Sequence, residues 1–496
     1  MVEFNSVIIK RLGELQMKKC LRILFPVFAA LILIFMISGV SKPVHAAKTD
    51  TYEIATDTTF APFEFESKKG EYIGIDMDLL KAIAKDQNFK YKIKPLGFNA
   101  AVQALEANQV DAVIAGMSIT PDREKKFDFS KPYFESGVVM AVDKDEKNVK
   151  SYKDLKGKKV AVKTGTEGYA FADKIKDKYG FKIVTFDESS PMYDDVKTGN
   201  SAAAFDDFPV LAYGVQQGNG LKIVTDKEKG GEYGFAVNKG KNKELLDKFN
   251  TGLANLKANG EYKKITEKYL GKNGEASQKS GFFASLGESW PALLAGLWYT
   301  IRLTVLSLLI ALIIGVVFGF MKVSQNRIVR GIATVYVDIF RGTPLLVQAF
   351  FIYFGIPQAL DFRMPAFLAA LLALSLNAGA YMVEIVRGGI QSVDSGQMEA
   401  ARSLGLPYRK SMIKIVLPQA IRTMIPSFIN QFVITLKDTS IMSVIGLVEL
   451  TQSGKIIIAR TFQSFDIWLI VALMYLIVIT ILTKVSDRVE RRLRND

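Results

Sequence analysis

The sequence has almost no cysteine and almost no histidine. Its 496 residues include one of each, Cys20 and His45. Both lie in a segment typical of a secretory signal peptide, so the cleaved chain would contain neither. Disulfides, zinc sites built on Cys or His, cysteine nucleophiles and Ser-His-Asp triads are then excluded together. We predict no metal site, no cofactor of its own and no catalytic residue.

Acidic residues are in the minority, with 50 Asp and Glu against 64 Lys and Arg, so the net charge is +14. Such an excess is typical of nucleic-acid binding or of basic loops on the inner face of a membrane. The apolar fraction of 49% and the mean hydropathy of +0.16 exclude a disordered chain and favour a membrane portion. The length predicts two to four domains.

Residues 1–46 predict an N-terminal extension and a signal peptide. The basic stretch 18–22 precedes residues 23–41, which carry no charge. Val44-His45-Ala46 then gives a small-x-small cleavage pattern. An uncleaved anchor helix is the alternative, and Met17 is an alternative start.

Residues 47–271 predict an extracellular α/β domain. Short strand-like runs alternate with amphipathic helical runs, which favours layers with parallel strands. The strands are expected at residues 51–55, 110–115 and 159–162, and the helices at residues 75–87, 100–107 and 168–179. Residues 272–289 predict a linker, since its first part is polar and contains Gly.

Residues 290–496 predict a multi-pass membrane domain. Five apolar runs are long enough to cross the hydrocarbon layer, at residues 303–321, 335–360, 365–386, 425–445 and 467–483. Lys and Arg cluster after the first, third and fifth runs, and the positive-inside rule places these clusters and the C-terminus in the cytoplasm. The preceding domain would then lie outside the cell membrane, and nucleic-acid binding is disfavoured.

The most informative motif lies in a loop at about residues 387–424. Glu399-Ala400-Ala401 is followed by Gly405 and, farther on, by Leu417-Pro418. The segment resembles the EAA loop of importer-type ABC permeases. Two short helices broken at Gly405 and Pro407 would dock into a cytoplasmic ATPase and pass its motion to the spans. The alternative is an ordinary basic loop.

Two further segments resemble permeases for polar amino acids, residues 341–348 (RGTPLLVQ) and residues 376–381 (LNAGAY). Their Gly, Pro and small residues permit helix breaks and close packing. Four charged residues would be costly against lipid, so we expect them to face the bundle interior or an interface: Asp338, Arg341, Glu384 and Lys437. Snorkelling to the headgroups is the alternative.

The outer domain resembles binding proteins for polar amino acids. The resemblance rests on residues 55–65 (ATDTTFAPFEF), 116–123 (GMSITPDR), 127–133, 163–166 (KTGT) and 206–209 (DDFP). It implies a bilobed α/β fold of the type II periplasmic binding proteins, followed by an all-α permease of five transmembrane helices. The whole chain resembles a fused binding and permease subunit of a polar amino-acid ABC importer, of the glutamine type.

The resemblance implies a substrate site made of Asp57, Phe60, Phe98, Gly116, Ser118, Arg123, Lys163, Thr166, Asp206 and Asp207. An amino acid is a zwitterion, so its capture needs groups of opposite charge. Arg123 can hold the carboxylate in a bidentate fork, assisted by N–H groups of the turn at Gly165 and Thr166. Asp207 can accept from the ammonium, with Ser118 and the Gly116 carbonyl assisting.

The remaining site residues would surround the ligand side chain. Phe60 and Phe98 can enclose its aliphatic stem, or else belong to the core. Asp57 can accept and Lys163 can donate, which suits the carboxamide of glutamine. Asp57 alone would suit arginine or lysine, or would cap a local turn.

Two departures from the family pattern leave the substrate open. Glu167 stands where glutamine binders often carry Gly, and Asp206 stands where they often carry His. The added negative charge of Asp206 favours a cationic ligand such as arginine or lysine. Glutamate and asparagine are further alternatives. Arg123 has its own alternative, a surface ion pair with Asp122 or Glu124.

Several partners follow from the resemblance. The chain has no Gly-x4-Gly-Lys-Ser/Thr loop, so ATP and Mg would be bound by a separate ATPase subunit. A homodimer in membrane lipid would complete a two-fold pore. The chain should cross between lobes near residues 136–142 and 233–237. A sensory receptor, or a membrane-anchored dehydratase or lytic transglycosylase, are alternatives from other classes.

Overall fold

The computed structural model describes residues 51–67, 69–270 and 282–495. The predicted signal peptide, with Cys20 and His45, and the first part of the predicted linker lie outside the described residues. Those predictions therefore stay predictions.

The N-terminal domain has two lobes, each built around one sheet. Its strands are β1 (Thr51–Asp57), β2 (Thr59–Phe60), β3 (Glu64–Glu66), β4 (Tyr72–Ile73), β5 (Lys90–Leu96), β6 (Ala112–Val113), β7 (Phe127–Phe129), β8 (Phe134–Asp143), β9 (Lys159–Lys163), β10 (Lys182–Phe186), β11 (Ala203–Asp207), β12 (Leu221–Ile223), β13 (Glu228–Tyr233) and β14 (Ala236–Asn238). The helices are α1 (Ile75–Asp86), α2 (Phe98–Glu106), α3 (Pro121–Glu124), α4 (Glu167–Tyr179), α5 (Ser189–Lys197), α6 (Phe208–Gln216), α7 (Lys243–Ala258) and α8 (Glu261–Leu270), with a 3₁₀ turn at Tyr152–Leu155.

The sheet of lobe 1 has the order β5-β1-β6-β14-β7, and the sheet of lobe 2 has the order β10-β9-β11-β8-β12, with β13 beside β8. β1 is parallel to β5 and β6, and β9 is parallel to β10 and β11. The predicted bilobed α/β fold is confirmed. β14 and β8 are antiparallel to their neighbours, because each enters its sheet after the chain has crossed from the other lobe.

The two crossings lie side by side. The Tyr133 N–H donates to the Tyr233 carbonyl at 2.9 Å, and the Ser130 N–H donates to the Phe235 carbonyl at 2.8 Å. The second crossing falls within the predicted residues 233–237. The first prediction was wrong by a few residues, because residues 136–142 already belong to β8, a buried central strand of lobe 2.

Amphipathic helices cover both sheets. In α1 the residues Leu79, Leu80, Ile83 and Ala84 are buried, on the face that their helical spacing predicts. They pack with Ile54 of β1 in the core of lobe 1. This core fixes the carboxyl end of β1, where the polar side chains of the cleft begin.

The membrane domain is helical. Its helices are α9 (Phe282–Lys322), α10 (Arg327–Gly342), α11 (Leu345–Phe350), α12 (Ile356–Leu360), α13 (Ala366–Gln391), α14 (Ser395–Ser403), α15 (Tyr408–Ser411), α16 (Leu417–Asp438), α17 (Leu450–Thr461) and α18 (Ser464–Asn495). π-helical turns join α11 to α12 at Phe351–Gly355 and α15 to α16 at Met412–Val416, and a 3₁₀ segment spans Thr439–Ile445. α9 begins well before residue 290, so the second half of the predicted linker is helical rather than flexible.

Four helical segments are long and apolar enough to cross a membrane, namely Gly287–Lys322, Ala366–Gln391, Tyr408–Ile445 and Ser464–Val485. A further pair, Arg327–Gly342 and Leu345–Leu360, is bent by 103°. Five spans result if the bent pair counts as one. The bend falls at Thr343-Pro344, where proline supplies no N–H to continue the helix.

The motifs at residues 341–348 and 376–381 meet at this bend. The Gln348 amide donates to the Phe340 carbonyl at 2.8 Å and to the Thr343 carbonyl at 3.0 Å. Asn377 donates to the Gln348 side chain at 3.1 Å. These bonds satisfy backbone groups that the break would leave unpaired in a membrane.

The four intramembrane charges divide into two groups. Glu384 is paired with Lys322 at 3.1 Å and Arg387 at 2.7 Å, inside the bundle. Asp338, Arg341 and Lys437 are exposed on the single chain. The prediction that they face the bundle interior is therefore wrong for these three residues. An interface or the headgroup region remains as their expected environment.

The EAA-like loop turns sharply, as predicted. α14 ends at Ser403, and Gly405 has a left-handed φ of +81°, which glycine adopts without strain. The second helix is not short, however. It runs on through the π-helical turn at Met412–Val416 into α16, with Pro418 inside the continuous helix.

Candidate functional site

A cleft between the lobes begins where three strands end. Asp57 closes β1, Lys163 closes β9 and Asp207 closes β11. The carboxyl ends of strands in α/β sheets are the usual position for ligand sites. The three charged side chains are thus brought to the same cleft, from segments far apart in the sequence.

Asp57 and Lys163 form an ion pair across the two lobes. Lys163 Nζ lies 2.8 Å from Asp57 Oδ2, and each side chain is 2% exposed. Asp57 Oδ1 also accepts from the N–H and hydroxyl of Thr59, at 2.9 and 2.8 Å, so it caps the local turn as well. Burial alone lowers the pKa of a lysine, but Asp57 outweighs it and the pKa of Lys163 is raised.

Phe60 and Phe98 flank this ion pair. Lys163 Nζ lies 4.7 Å from the centroid of the Phe60 ring and 5.9 Å from that of Phe98. Both rings are buried. They also belong to the cores of the domain, so the core and cleft interpretations both hold. The rings exclude water from the charges between them.

Arg123 also joins the lobes. Its Nη2 donates to the Gly165 carbonyl of lobe 2 at 2.7 Å, and its Nη1 donates to the Ser118 carbonyl at 3.0 Å. The guanidinium lies 5.2 Å from the Phe98 centroid. Asp122 pairs instead with Lys125 at 2.6 Å, so the predicted alternative of an Asp122 pair is wrong. Burial lowers the pKa of Arg123, and Glu167 opposes this shift.

Seven of the ten predicted site residues line one narrow cavity, together with Ala115 and Gly165: Phe60, Phe98, Gly116, Ser118, Lys163, Thr166 and Asp207. Thr166 caps α4 by accepting from the Tyr169 N–H at 3.4 Å. The N-terminus of α4 therefore borders the cavity, where the N–H groups of its first turn favour an anion.

Asp206 and Asp207 point to opposite faces of β11, since side chains alternate along a strand. Asp207 lines the cavity and accepts from the Ser136 hydroxyl at 3.0 Å. Asp206 accepts from the Tyr193 hydroxyl at 2.6 Å, away from the lining. Burial and then repulsion from Asp206 raise the pKa of Asp207 to about 7.

A buried carboxyl pair behind the cavity escaped the sequence analysis. Asp76 Oδ2 accepts from the Gly116 N–H at 2.9 Å and from the Tyr133 hydroxyl at 2.7 Å. Glu64 lies beside it, fully buried. Burial and then the charge of Asp76 raise the pKa of Glu64, and burial raises the pKa of Asp76 to about 6. The pair fixes the Gly116 backbone that lines the cavity.

The loop predicted to couple to an ATPase lies at the surface. Glu399, Ala400, Gly405 and Pro418 are exposed, Leu417 is half-buried and Ala401 is buried. Leu404, at the tip, is 84% exposed. Within the described residues, no group of three or more His, Cys, Asp or Glu side chains is arranged to hold a metal ion.

Two family models match the chain. The model of bacterial extracellular solute-binding proteins, family 3, matches residues 52–272. The model of the binding-protein-dependent transport system inner membrane component matches residues 289–495. The first covers the two lobes, and the second covers the membrane domain.

Named relatives cover the membrane domain. The arginine transport system permease protein ArtQ of Bacillus subtilis is 40% identical, over 42% of this chain and 94% of its own. The glutamine transport system permease protein GlnP of Escherichia coli K12 is 41% identical, over 41% of this chain and 95% of its own. Among solved structures, substrate binding domain 2 of Lactococcus lactis GlnP, in an open conformation, is 43% identical over 46% of this chain and 98% of its own, with a TM-score of 0.37.

The matches to both halves, and the identity over nearly the whole length of the two permeases, show the family. The chain belongs to the amino-acid ABC transporter permeases, and it carries a family 3 solute-binding domain fused ahead of its permease domain.

Proposed function

We propose that this chain captures a polar L-amino acid, in the first place glutamine, outside the cell membrane and forms half of its path through the membrane. The observation that carries the proposal is the charge arrangement of the cleft. A half-buried guanidinium, a helix N-terminus and a buried carboxylate complement a zwitterion. The Asp57–Lys163 pair lies at the ligand side-chain end, between two aromatic rings.

Three features favour glutamine over a basic amino acid. Lys163 is buried in the cleft and repels a second cation. Its pair with Asp57 offers one donor and one acceptor, as a carboxamide requires. Asp206, whose charge favoured a cationic ligand, is directed to Tyr193 instead. Arginine or lysine, and glutamate or asparagine, are the alternatives, since the named relatives include arginine and glutamine permeases.

We further infer that the binding domain lies outside the cell and the EAA-like loop lies in the cytoplasm. α13 has 26 residues, which span about 39 Å at a rise of 1.5 Å per residue. Met364, just before α13, contacts the binding domain through Gln109, and the loop follows the other end of α13. A separate ATPase, with its ATP and Mg, would bind the loop, and a second copy of the chain would complete the pore.

Calorimetric titration of the full chain in lipid nanodiscs with each of the twenty amino acids tests the substrate. We expect one site per chain, with glutamine bound most tightly. Tightest binding of arginine would establish the basic alternative, and no binding of any amino acid would refute the proposal. Binding without ATP-driven uptake, once the cognate ATPase is supplied, would point to a receptor.

A matched pair of variants tests the role of the buried lysine. Lys163→Met should weaken glutamine binding and improve arginine binding relative to glutamine, because the repelling charge is lost. Lys159→Met removes an exposed lysine from the start of the same strand and should change neither. Equal effects of the two variants would remove Lys163 from the site.

A further inference from the structure

The permease contacts the two lobes of the binding domain in different ways. Gln109 of lobe 1 forms hydrogen bonds with the permease segment before α13. Its amide donates to the Phe362 carbonyl at 2.9 Å, and its Oε1 accepts from the Met364 N–H at 2.8 Å. Gln109 is 1% exposed, so both groups are held in a water-poor joint, where an unpaired amide would be costly.

Arg363 strengthens the same joint. Its Nη2 lies 2.7 Å from Asp111 Oδ1, its Nη1 lies 3.4 Å from Glu53 Oε2, and its Nε donates to the Asn108 carbonyl at 3.0 Å. These bonds of Arg363 and Gln109 all join the permease to lobe 1. Closing or opening the cleft therefore leaves these bonds unchanged.

An apolar contact lies beside this joint. Met442, Ile445 and Leu447 share one core cluster with Leu96 and Phe98 of lobe 1. Gly446 has φ +79°, and a side chain there would overlap Leu96 and lie 2.8 Å from the Pro95 carbonyl. The permease backbone thus abuts the strand end that leads to Phe98 of the cleft.

Within the described residues, α17 and the residue after it contact lobe 2. Lys455 Nζ lies 3.0 Å from Glu188 Oε1, at the start of α5. Phe462, which has a left-handed φ of +54°, places its ring 6.4 Å from that of Tyr193. Tyr193 in turn donates to Asp206, next to Asp207 of the cleft. α17 also lies against β2 and β3 of lobe 1.

These contacts belong to the closed cleft. Asp57–Lys163, Arg123–Gly165 and Asn99–Asp187, the last at 3.3 Å, all join lobe 1 to lobe 2. Opening breaks them and carries Glu188 and Tyr193 away with lobe 2, while lobe 1 stays on its anchor. Only the lobe 2 contacts then differ between the two states, and only a differential contact can report a conformational change.

We propose that lobe 1 is a permanent seat for the binding domain, held by Gln109 and Arg363, and that α17 detects cleft closure through Lys455–Glu188 and Phe462–Tyr193. This inference rests on the proposed function, because amino-acid binding would supply the closure that α17 detects. The binding domain docks on the permease of its own chain.

Thiol cross-linking in the full chain tests both halves of the proposal. In a Cys20→Ser background, one variant carries Glu188→Cys with Lys455→Cys, and the other carries Asp111→Cys with Arg363→Cys. The replaced side chains are long and contact each other at their tips, so the cysteines in their place lie too far apart for a direct disulfide. A short bifunctional thiol reagent is therefore used. A protease site is inserted in residues 271–281. After cleavage, a chain without a cross-link separates into two fragments, whereas a cross-linked chain stays joined.

We expect L-glutamine to raise the cross-linking rate of the 188–455 pair at least fivefold and to leave that of the 111–363 pair within twofold. Equal rates for the 188–455 pair with and without ligand would overturn the detection role. A ligand-dependent 111–363 pair would overturn the permanent seat. Cross-links between two chains, in place of cross-links within one chain, would overturn the docking of the binding domain on the permease of its own chain.

Binding of L-glutamine and L-arginine is measured on the same samples. If neither of these nor any other amino acid binds, the proposed function fails, whereas the 111–363 result still decides whether lobe 1 is a permanent seat. As a second variant, Lys455→Glu should slow uptake, and Lys455→Glu with Glu188→Lys should restore it. Failure of the exchanged pair to restore uptake, with binding intact, would overturn the ion pair as a detector.

Discussion

The cleft of the binding domain and the EAA-like loop of the permease present their functional residues in opposite ways. In the cleft, Asp57 and Lys163 are buried and paired with each other. At the loop tip, Leu404 is 84% exposed, and no neighbouring atom of the described residues lies within 4 Å of the position that a Gly405 side chain would take. Changes in the cleft should therefore alter folding and ligand binding together, whereas changes in the loop should alter only the response to a partner.

The largest effect is expected at Gly405. Gly405→Asp places a charged side chain at a left-handed position in the turn and should abolish uptake in proteoliposomes with the cognate ATPase. Amino-acid binding should be unchanged, since the loop is remote from the cleft. Gly157→Asp is the matched control, because Gly157 also has a positive φ, +73°, and open space around it. Uptake by the Gly405 variant at the control level would refute the coupling role.

Arg123→Ala should weaken amino-acid binding by at least about 2–3 kcal/mol, since a charge-assisted bidentate contact is lost. That corresponds to roughly 30- to 150-fold in Kd, measured by calorimetry. Lys125→Ala removes a neighbouring exposed cation that pairs with Asp122 and should have little effect. Unchanged affinity in the Arg123 variant would remove this residue from the site.

Binding should weaken as the pH falls below about 7. The ligand ammonium needs an ionised acceptor, and the raised pKa of Asp207, about 7, means that acid protonates it. Affinity is therefore full above the pKa and falls by up to about tenfold per pH unit below it. Titrations at pH 8, 7, 6 and 5 measure this slope. Asp207→Asn should bind weakly with a flat profile, and a flat wild-type profile would contradict the assignment.

The smallest effect is expected at the loop tip. Leu404→Ala should lower uptake several-fold, because an exposed leucine gains about 1.5–3 kcal/mol only when a partner buries it. The Tm of the chain without ATPase should not change. Asp57→Asn is the contrasting variant, since it leaves Lys163 buried without its counter-charge and should lower Tm. A lower Tm for the Leu404 variant would contradict the claim that changes in the loop leave folding unaffected.

Local motifs explain why much of the cleft could be predicted. Asp57 and Phe60 lie in one short segment, as do Lys163 and Thr166, and the strand ends bring the segments together. Asp76 could not be predicted in this way. It acts on Gly116 from 40 positions away, and an acidic residue in the first turn of a helix has an ordinary explanation in the helix dipole.

The permease shows a similar limit. Gly405 correctly predicted the turn of the loop, because a positive φ is a local property. The continuous helix from Tyr408 onward was missed, because the sequence analysis expected only a short second helix after the break at Gly405 and Pro407. Whether a proline ends a helix depends on its place in the turn and on its neighbours, which the sequence pattern does not contain.

The fusion has a kinetic consequence. α8 ends at Leu270 and α9 begins at Phe282, so the fusion keeps the binding domain near the permease at an effective concentration on the order of millimolar. A free binding protein would need tight association to occupy the permease at low abundance. With the proposed docking, the bonds of Gln109 and Arg363 need to supply only modest affinity, and release of an emptied domain need not limit the transport cycle.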